Sequence, residues 1–207
     1  KNCQHFEARV VLLEKENKMF KNTFHTGFLS IYYSLGSKPL QLWKQNAGSN
    51  GMITEVIDPQ IKSACLEITS PSLPSCYITC PALPDRTLGI RLPYFYMVVK
   101  NLGNYFSFEI EVLDDKGIVR RFRSSNFQPT TRCQDFICVF PMKMEDGWNL
   151  IQLNLTELTR LTYATNFSEV LRVTVNANCR LRLVYFADSQ CTQDQLPFEL
   201  KLFVPKN

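Results

Sequence analysis

Residues 105–123, YFSFEIEVLDDKGIVRRFR, hold two alternating runs joined by turn chemistry, and their reading decides the fold. Phe106, Phe108, Ile110 and Val112 alternate with Ser107, Glu109 and Glu111, which gives a strand one apolar and one polar face. Asp115, Lys116 and Gly117 fit a hairpin loop with Gly117 in the left-handed region, where a residue without Cβ sits at little steric cost. Such a loop sets Glu111 opposite Arg121, Glu109 opposite Arg123 and Ile110 opposite Phe122. Register, charge and burial then agree on a β-hairpin. The paired acids Asp114 and Asp115, like Glu145 and Asp146, stand just before a glycine and read as turn formers rather than catalytic carboxylates.

Short apolar runs of the same kind recur along the chain. They are FLSIYY (28–33), LQLW (40–43), CLEI (65–68), YITC (77–80), YFYMVVKN (94–101), FICVF (136–140), NLIQLNL (149–155), LRVTV (171–175), RLRLVYF (180–186) and LKLFV (200–204). Pro, Gly and Asn separate them, a pattern that predicts an all-β sandwich or barrel. TELTRLTYA (156–164) is the one internal helical pattern, with Thr156 as N-cap and Leu158 and Leu161 on one face. Residues 1–18 form a leader, helical or frayed, ahead of a single domain over 19–207.

The chain has 207 residues, enough for one domain that hides roughly 70% of its unfolded surface. Apolar residues make up 45%, charged residues 20%, and the net charge is +4, which suits an acidic partner but falls short of a nucleic-acid footprint. The first residues lack a secretory apolar core, and the longest apolar run, YFYMVV, is too short to span a bilayer. These features predict a soluble, intracellular protein without a membrane partner.

Eight cysteines bear on the compartment. On one strand, Cys76 and Cys80 would lie ~13 Å apart, too far to bridge each other or grip one zinc. Cys133 and Cys138, if they share a strand, face opposite sides. Longer-range disulfides are open geometrically, but small buried hydrophobes in a reducing compartment are the expected role of the thiols, with no metal and no cofactor. The sequons at Asn154 and Asn166 are then chance matches.

No nucleophile elbow, phosphate loop, dinucleotide fingerprint or HExxH occurs, and His5 and His25 leave little material for general-base chemistry, so the sequence predicts a non-enzyme. Two basic stretches stand out: VRRFRSSNFQPTTR, with Arg120, Arg121, Arg123 and Arg132, and LRVTVNANCRLR, with Arg172, Arg180 and Arg182. Guanidinium forks suit the carboxylates of an acidic protein surface. The bland alternative has Arg121 and Arg123 neutralised by the hairpin glutamates and the rest solvated. Phe122 and Phe127 interleave the first stretch, the only support for a nuclear RNA-associated factor. Trp43 and Trp148 support a glycan-binding module if either is exposed on a concave sheet.

The segments MFKNTF, GFLSI, GSKPLQ, YITCPA, TLGI, VLDDK, RRFR, DGWN, ANCR and VYF run in order from Met19 onward. In these the chain resembles the cilia- and flagella-associated protein 20 family. The resemblance implies a single jelly-roll-like β-sandwich, similar to carbohydrate-binding modules, with one or two short helices, a loop at 44–55 and no catalysis. It also implies a structural role in the axoneme of motile cilia and flagella, with basal body and nucleus as further sites. There the protein would close the inner junction between B-tubule and A-tubule of the doublet microtubule. Its partners would be tubulin, a protein like the Parkin co-regulated gene product, and other junction proteins; nucleic acid is disfavoured. Lys38, Arg120, Arg121, Arg123, Arg132, Arg172, Arg180 and Arg182 are the expected partner contacts.

Overall fold

The computed structural model describes residues 18–20, 27–192, 195–197 and 201. The expected leader lies outside the described residues apart from Lys18, and so does the expected strand at 200–204 apart from Lys201. The first strands are β1 (Phe28–Tyr33), β2 (Lys44–Asn46), β3 (Met52–Asp58), β4 (Ser63–Thr69) and β5 (Tyr77–Cys80). Next come β6 (Tyr94–Asn101), β7 (Ser107–Asp114), β8 (Val119–Ser125), β9 (Arg132–Cys133) and β10 (Ile137–Pro141). The chain continues through β11 (Gly147–Asn154), α1 (Leu155–Tyr163), β12 (Phe167–Asn176) and β13 (Cys179–Ala187).

One sheet runs β11-β6-β13-β4-β3, with β1 also paired to β13; the other runs β2-β5-β12-β7-β8-β10-β9. From β4 onward the chain crosses repeatedly between them, so β5, β7 and β12 lie in one sheet and β6, β11 and β13 in the other. This is the single jelly-roll-like sandwich, all-β with, among the described residues, one α-helix and a short 3-10 turn at Leu73–Ser75. No helix among the described residues is long and apolar enough to cross a membrane.

The core lies between the inner faces. Phe95, Met97 and Val99 of β6 and Val184 and Phe186 of β13 meet Phe108, Ile110 and Val112 of β7 and Val173 and Val175 of β12. Phe95 stacks on Phe108 across the gap, with ring centroids 5.8 Å apart. Over Phe95–Val99 and Leu183–Ala187, strands β6 and β13 are apolar and buried on both faces. Tyr96 and Tyr185 stack at 4.7 Å on the outer side, where Val98, Leu183 and Leu196 join them. An irregularity between Leu181 and Leu183 switches the parity of β13. Two-sided burial explains the unbroken run YFYMVV, which alternation alone does not.

The β7–β8 hairpin has the expected register: Glu109 opposes Arg123, Ile110 opposes Phe122, and Glu111 opposes Arg121. Gly117 takes φ 73°. The buried Asp114 carboxylate closes the turn, accepting from the backbone N–H groups of Lys116 (3.0 Å) and Ile118 (2.8 Å) and from Arg120 Nε (2.9 Å). Arg120 also donates to the Asp135 carbonyl and lies 4.5 Å from the centre of the Tyr163 ring.

Several local expectations are corrected. Residues 40–43 form turns, and the strand beside them is β2. The loop at 44–55 contains β2 and the start of β3. Helix α1 is capped by Asn154, whose side chain accepts from Glu157 N at 3.1 Å, rather than by Thr156. Leu161 is exposed, and the buried face carries Leu155 and Thr159. Cys133 and Cys138 do not share a strand. They face each other across the antiparallel β9–β10 pair and form a disulfide, so interior packing of every thiol is overturned there. Cys65, Cys76, Cys80 and Cys179 are buried free thiols, and Cys191 is a half-buried one.

Burial pushes the Cys65 thiol up to about 11, aided by the Asp58 charge, and the Cys80 thiol up to about 12; those of Cys76 and Cys179 rise for the same reason. Alkylation near pH 8 followed by peptide mass mapping should leave these four unlabelled in the native protein and label them after unfolding. Asp114→Ala removes three acceptor contacts and strands a buried guanidinium. Urea unfolding should show a loss of about 3–5 kcal/mol, and a loss below 1 kcal/mol on the same ~0–1 scale as a surface pair would contradict this account.

Candidate interaction surface

Strand pairing assembles the outer face of the seven-stranded sheet in three rows. The middle row places Lys44 beside Thr79, Thr174, Glu109, Arg123, Val139 and finally Arg132. A second row runs Arg172, Glu111, Arg121 and Ile137. At the other end Asn176 donates to Ser107 at 2.8 Å, and Ser107 opposes Ser125. Residues directly opposite in adjacent strands point to one side. Lys44, Arg121, Arg123, Arg132 and Arg172 thus share a face that, in these rows, carries two carboxylates, Glu109 and Glu111. A groove of about 910 Å³ crosses it. The loops carrying Leu73, Pro74 and Phe127 bound one end, and Ala82 and Pro84 the other.

The eight expected contacts separate by environment. Arg121, Arg123, Arg132 and Arg172 lie on this face. Arg123 bonds Glu109 at 2.7 Å yet leaves 46% of its side chain exposed. Arg172 is held by the carbonyls of Pro81, Leu83, Pro84 and Arg86, with Glu111 at 3.9 Å. Burial raises the pKa of Glu111, the neighbouring Glu109 charge adds to the rise, and Arg172 and Arg121 oppose it. Lys38 sits in an exposed turn after β1. Arg120 is buried against Asp114, a position that removes it from the surface.

Arg180 and Arg182 belong to the other sheet. Arg182 donates to Ser34 Oγ at 2.5 Å and to the Ala64 carbonyl at 2.9 Å, beneath the Tyr33 ring. Arg180 opposes Lys100 on β6 and Glu67 on β4. Both cations converge on Asp58, which is fully buried: Arg180 lies 2.7 Å and Lys100 2.8 Å from its carboxylate, and Trp148 Nε1 donates at 3.2 Å. The backbone N–H groups of Gln60 and Ile61 complete the shell. Burial alone raises a carboxyl pKa, but the hydrogen bonds from Lys100, Arg180 and Trp148 outweigh it and hold Asp58 well below the usual range.

Trp43 is buried and donates its indole N–H to the Ile31 carbonyl at 2.7 Å, so it offers no sugar platform. Trp148 is half-buried with its N–H taken by Asp58. Phe122 is fully buried, which leaves Phe127 alone in support of base stacking. Lys44 is the member of the face that sequence reasoning missed, because it lay in a stretch read as loop. Both histidines fall outside the described residues. Among the described residues no group of three His, Cys, Asp or Glu side chains could hold a metal.

The fold is an all-β sandwich whose seven-stranded sheet gathers cations and hydroxyls on its outer face. The CFA20 domain family model matches residues 19–204, and the chain belongs to that family. Cilia- and flagella-associated protein 20 of Chlamydomonas reinhardtii is 54% identical over 187 residues, 90% of this chain and 98% of that protein. The Caenorhabditis elegans protein of the same name is 52% identical, over 90% and 92%. A family 11 carbohydrate-binding module from Clostridium thermocellum covers 79% of this chain and 97% of its own at 10% identity and TM-score 0.43, a likeness on which nothing further rests.

Asp58→Asn removes the buried charge that pairs with Lys100 and, together with Glu67, with Arg180, and at neutral pH it should cost about 3 kcal/mol of unfolding free energy. Because the folded pKa is depressed, the charge stabilises above the unfolded value of ~4 and stops doing so as pH falls through the lower folded value. Urea unfolding of both proteins should therefore show a gap that narrows steadily below about pH 4; a constant gap would contradict the assignment.

Proposed function

We propose that the protein is a non-enzymatic structural component of cilia and flagella, placed at the inner junction where the B-tubule closes on the A-tubule of the doublet microtubule. Membership of the CFA20 family over residues 19–204 carries the ciliary part of this reading. Tubulin, a protein like the Parkin co-regulated gene product and neighbouring junction proteins are the partners we assign. The outer face of the seven-stranded sheet supports an acidic partner: it is broad, built on paired strands, and carries Lys44, Arg121, Arg123, Arg132 and Arg172 against two glutamates. Lys38 adds a cation on a separate turn. The buried Arg120, together with Arg180 and Arg182, serves the fold.

Charged surface contacts weaken as the Debye length shrinks from ~10 Å at 0.1 M salt to ~3 Å at 1 M. Co-sedimentation with microtubules should fall over that range, and Arg121→Glu with Arg132→Glu should lower affinity about tenfold, or 1.4 kcal/mol. Binding indifferent to both changes would remove this face from the junction. RNA binding at moderate salt would favour the nucleic-acid reading instead.

A further inference from the structure

We propose that the groove on the outer face of the seven-stranded sheet takes an extended acidic polypeptide segment lying across the strands. The inference rests on the reading that this face meets the protein's partner and names the form that partner takes there. The lining residues come from six neighbouring strands, β2 through β10, and at ~4.8 Å per strand spacing they reach over ~24 Å. An extended chain covers that length with about seven residues at ~3.3 Å each. Loops at the two strand ends wall the groove on either side of a ligand lying across the strands, which suits an extended segment better than a flat globular surface.

Charge decides the ligand's sign. Lys44, Arg123 and Arg172 line the groove, and none of the lining residues carries a carboxylate. Lys44 and Arg123 stand four strands apart, ~19 Å, with Arg172 between them. Every second side chain of an extended ligand faces the sheet, at a spacing of ~6.6 Å, so acids alternating along it would put a carboxylate within reach of each of the three cations. Between them Thr79 and Thr174, hydroxyl to hydroxyl at 3.0 Å, offer hydrogen bonds to a peptide backbone.

The end formed by Phe127 supplies an apolar anchor. Phe127 is 45% and Tyr105 67% exposed, their rings meet at 5.1 Å, and Leu73 and Pro74 lie alongside Phe127 in the groove. The sandwich core is filled by other rings, so this pair contributes little burial to the fold. Aromatic anchors rimmed by polar groups dominate binding energy at interfaces.

The test is fluorescence anisotropy of the full chain titrated against a fluorescein-labelled peptide of alternating glutamate and glycine ending in phenylalanine. Its lysine counterpart and cellohexaose serve as competitors. The glutamate peptide should bind and neither competitor should displace it. Lys44→Glu and Phe127→Ser should each weaken binding about tenfold with unchanged unfolding midpoints. Lys62→Glu, on the exposed turn between β3 and β4, should leave binding unaltered. No binding, equal binding by Lys44→Glu, or displacement by cellohexaose overturns the proposal, the last in favour of a glycan. If the peptide fails while microtubule co-sedimentation keeps its salt and charge dependence, the peptide groove is wrong and the junction reading stands. If both fail, the face itself is wrongly assigned.

Discussion

The Asp114 carboxylate is the contact on which the functional face depends. It binds two backbone N–H groups of the turn and the guanidinium of Arg120, and so locks β7 and β8 in one register. Side chains alternate across a strand, and a slip of one residue would exchange its two faces. With the register held, Phe122 goes into the core while Arg121 and Arg123 go out. Parallel pairing of β10 with β8 then carries the same parity to Val139 and, through β9, to Arg132. The disulfide between Cys133 and Cys138 ties that last edge.

The two outer faces of the sandwich differ because burial and charge are handled differently on each. On the six-stranded sheet, Tyr96 and Tyr185 are covered by Leu196 and its neighbours, and the charges of Lys100 and Arg180 converge on Asp58. A carboxylate removed from water is tolerable only with such a complete set of donors. Among the described residues no comparable cover lies over the central rows of the seven-stranded sheet, where Lys44, Arg123 and Arg132 are exposed and Arg121 and Arg172 half-buried. Within its paired rows this face sets Lys44, Arg121, Arg123, Arg132 and Arg172 against Glu109 and Glu111, a local excess of positive charge.

Elements marked by a short apolar run between turn residues were legible. The strands at 28–33, 77–80 and 94–101 coincide with the observed β1, β5 and β6, and the hairpin register follows from turn chemistry and charge. Strands β2 and β3 were missed because each lies on a sheet edge with mostly exposed or half-exposed residues, so no apolar face marked them. The helix cap moved to Asn154 because β11 runs straight into α1, and the last residue of the strand is the first with a free carboxamide to offer. Cys133 and Cys138 were misjudged on the premise of a shared strand; a turn between them reverses the chain and brings their side chains together.

Alternation, turn residues and composition determined an all-β sandwich or barrel with an apolar core and a mildly basic chain, because these are properties of neighbours along the chain. They could not sort the arginines. Arg120, Arg121 and Arg123 sit within four positions, yet one is buried on Asp114, one lies half-buried between Glu111 and Ile137, and one projects into the groove. Arg172 and Arg180 are similar in sequence and lie on opposite sheets. That division was made by tertiary structure alone, since a charge's role depends on which distant carboxylate or carbonyl the packed strands bring within reach.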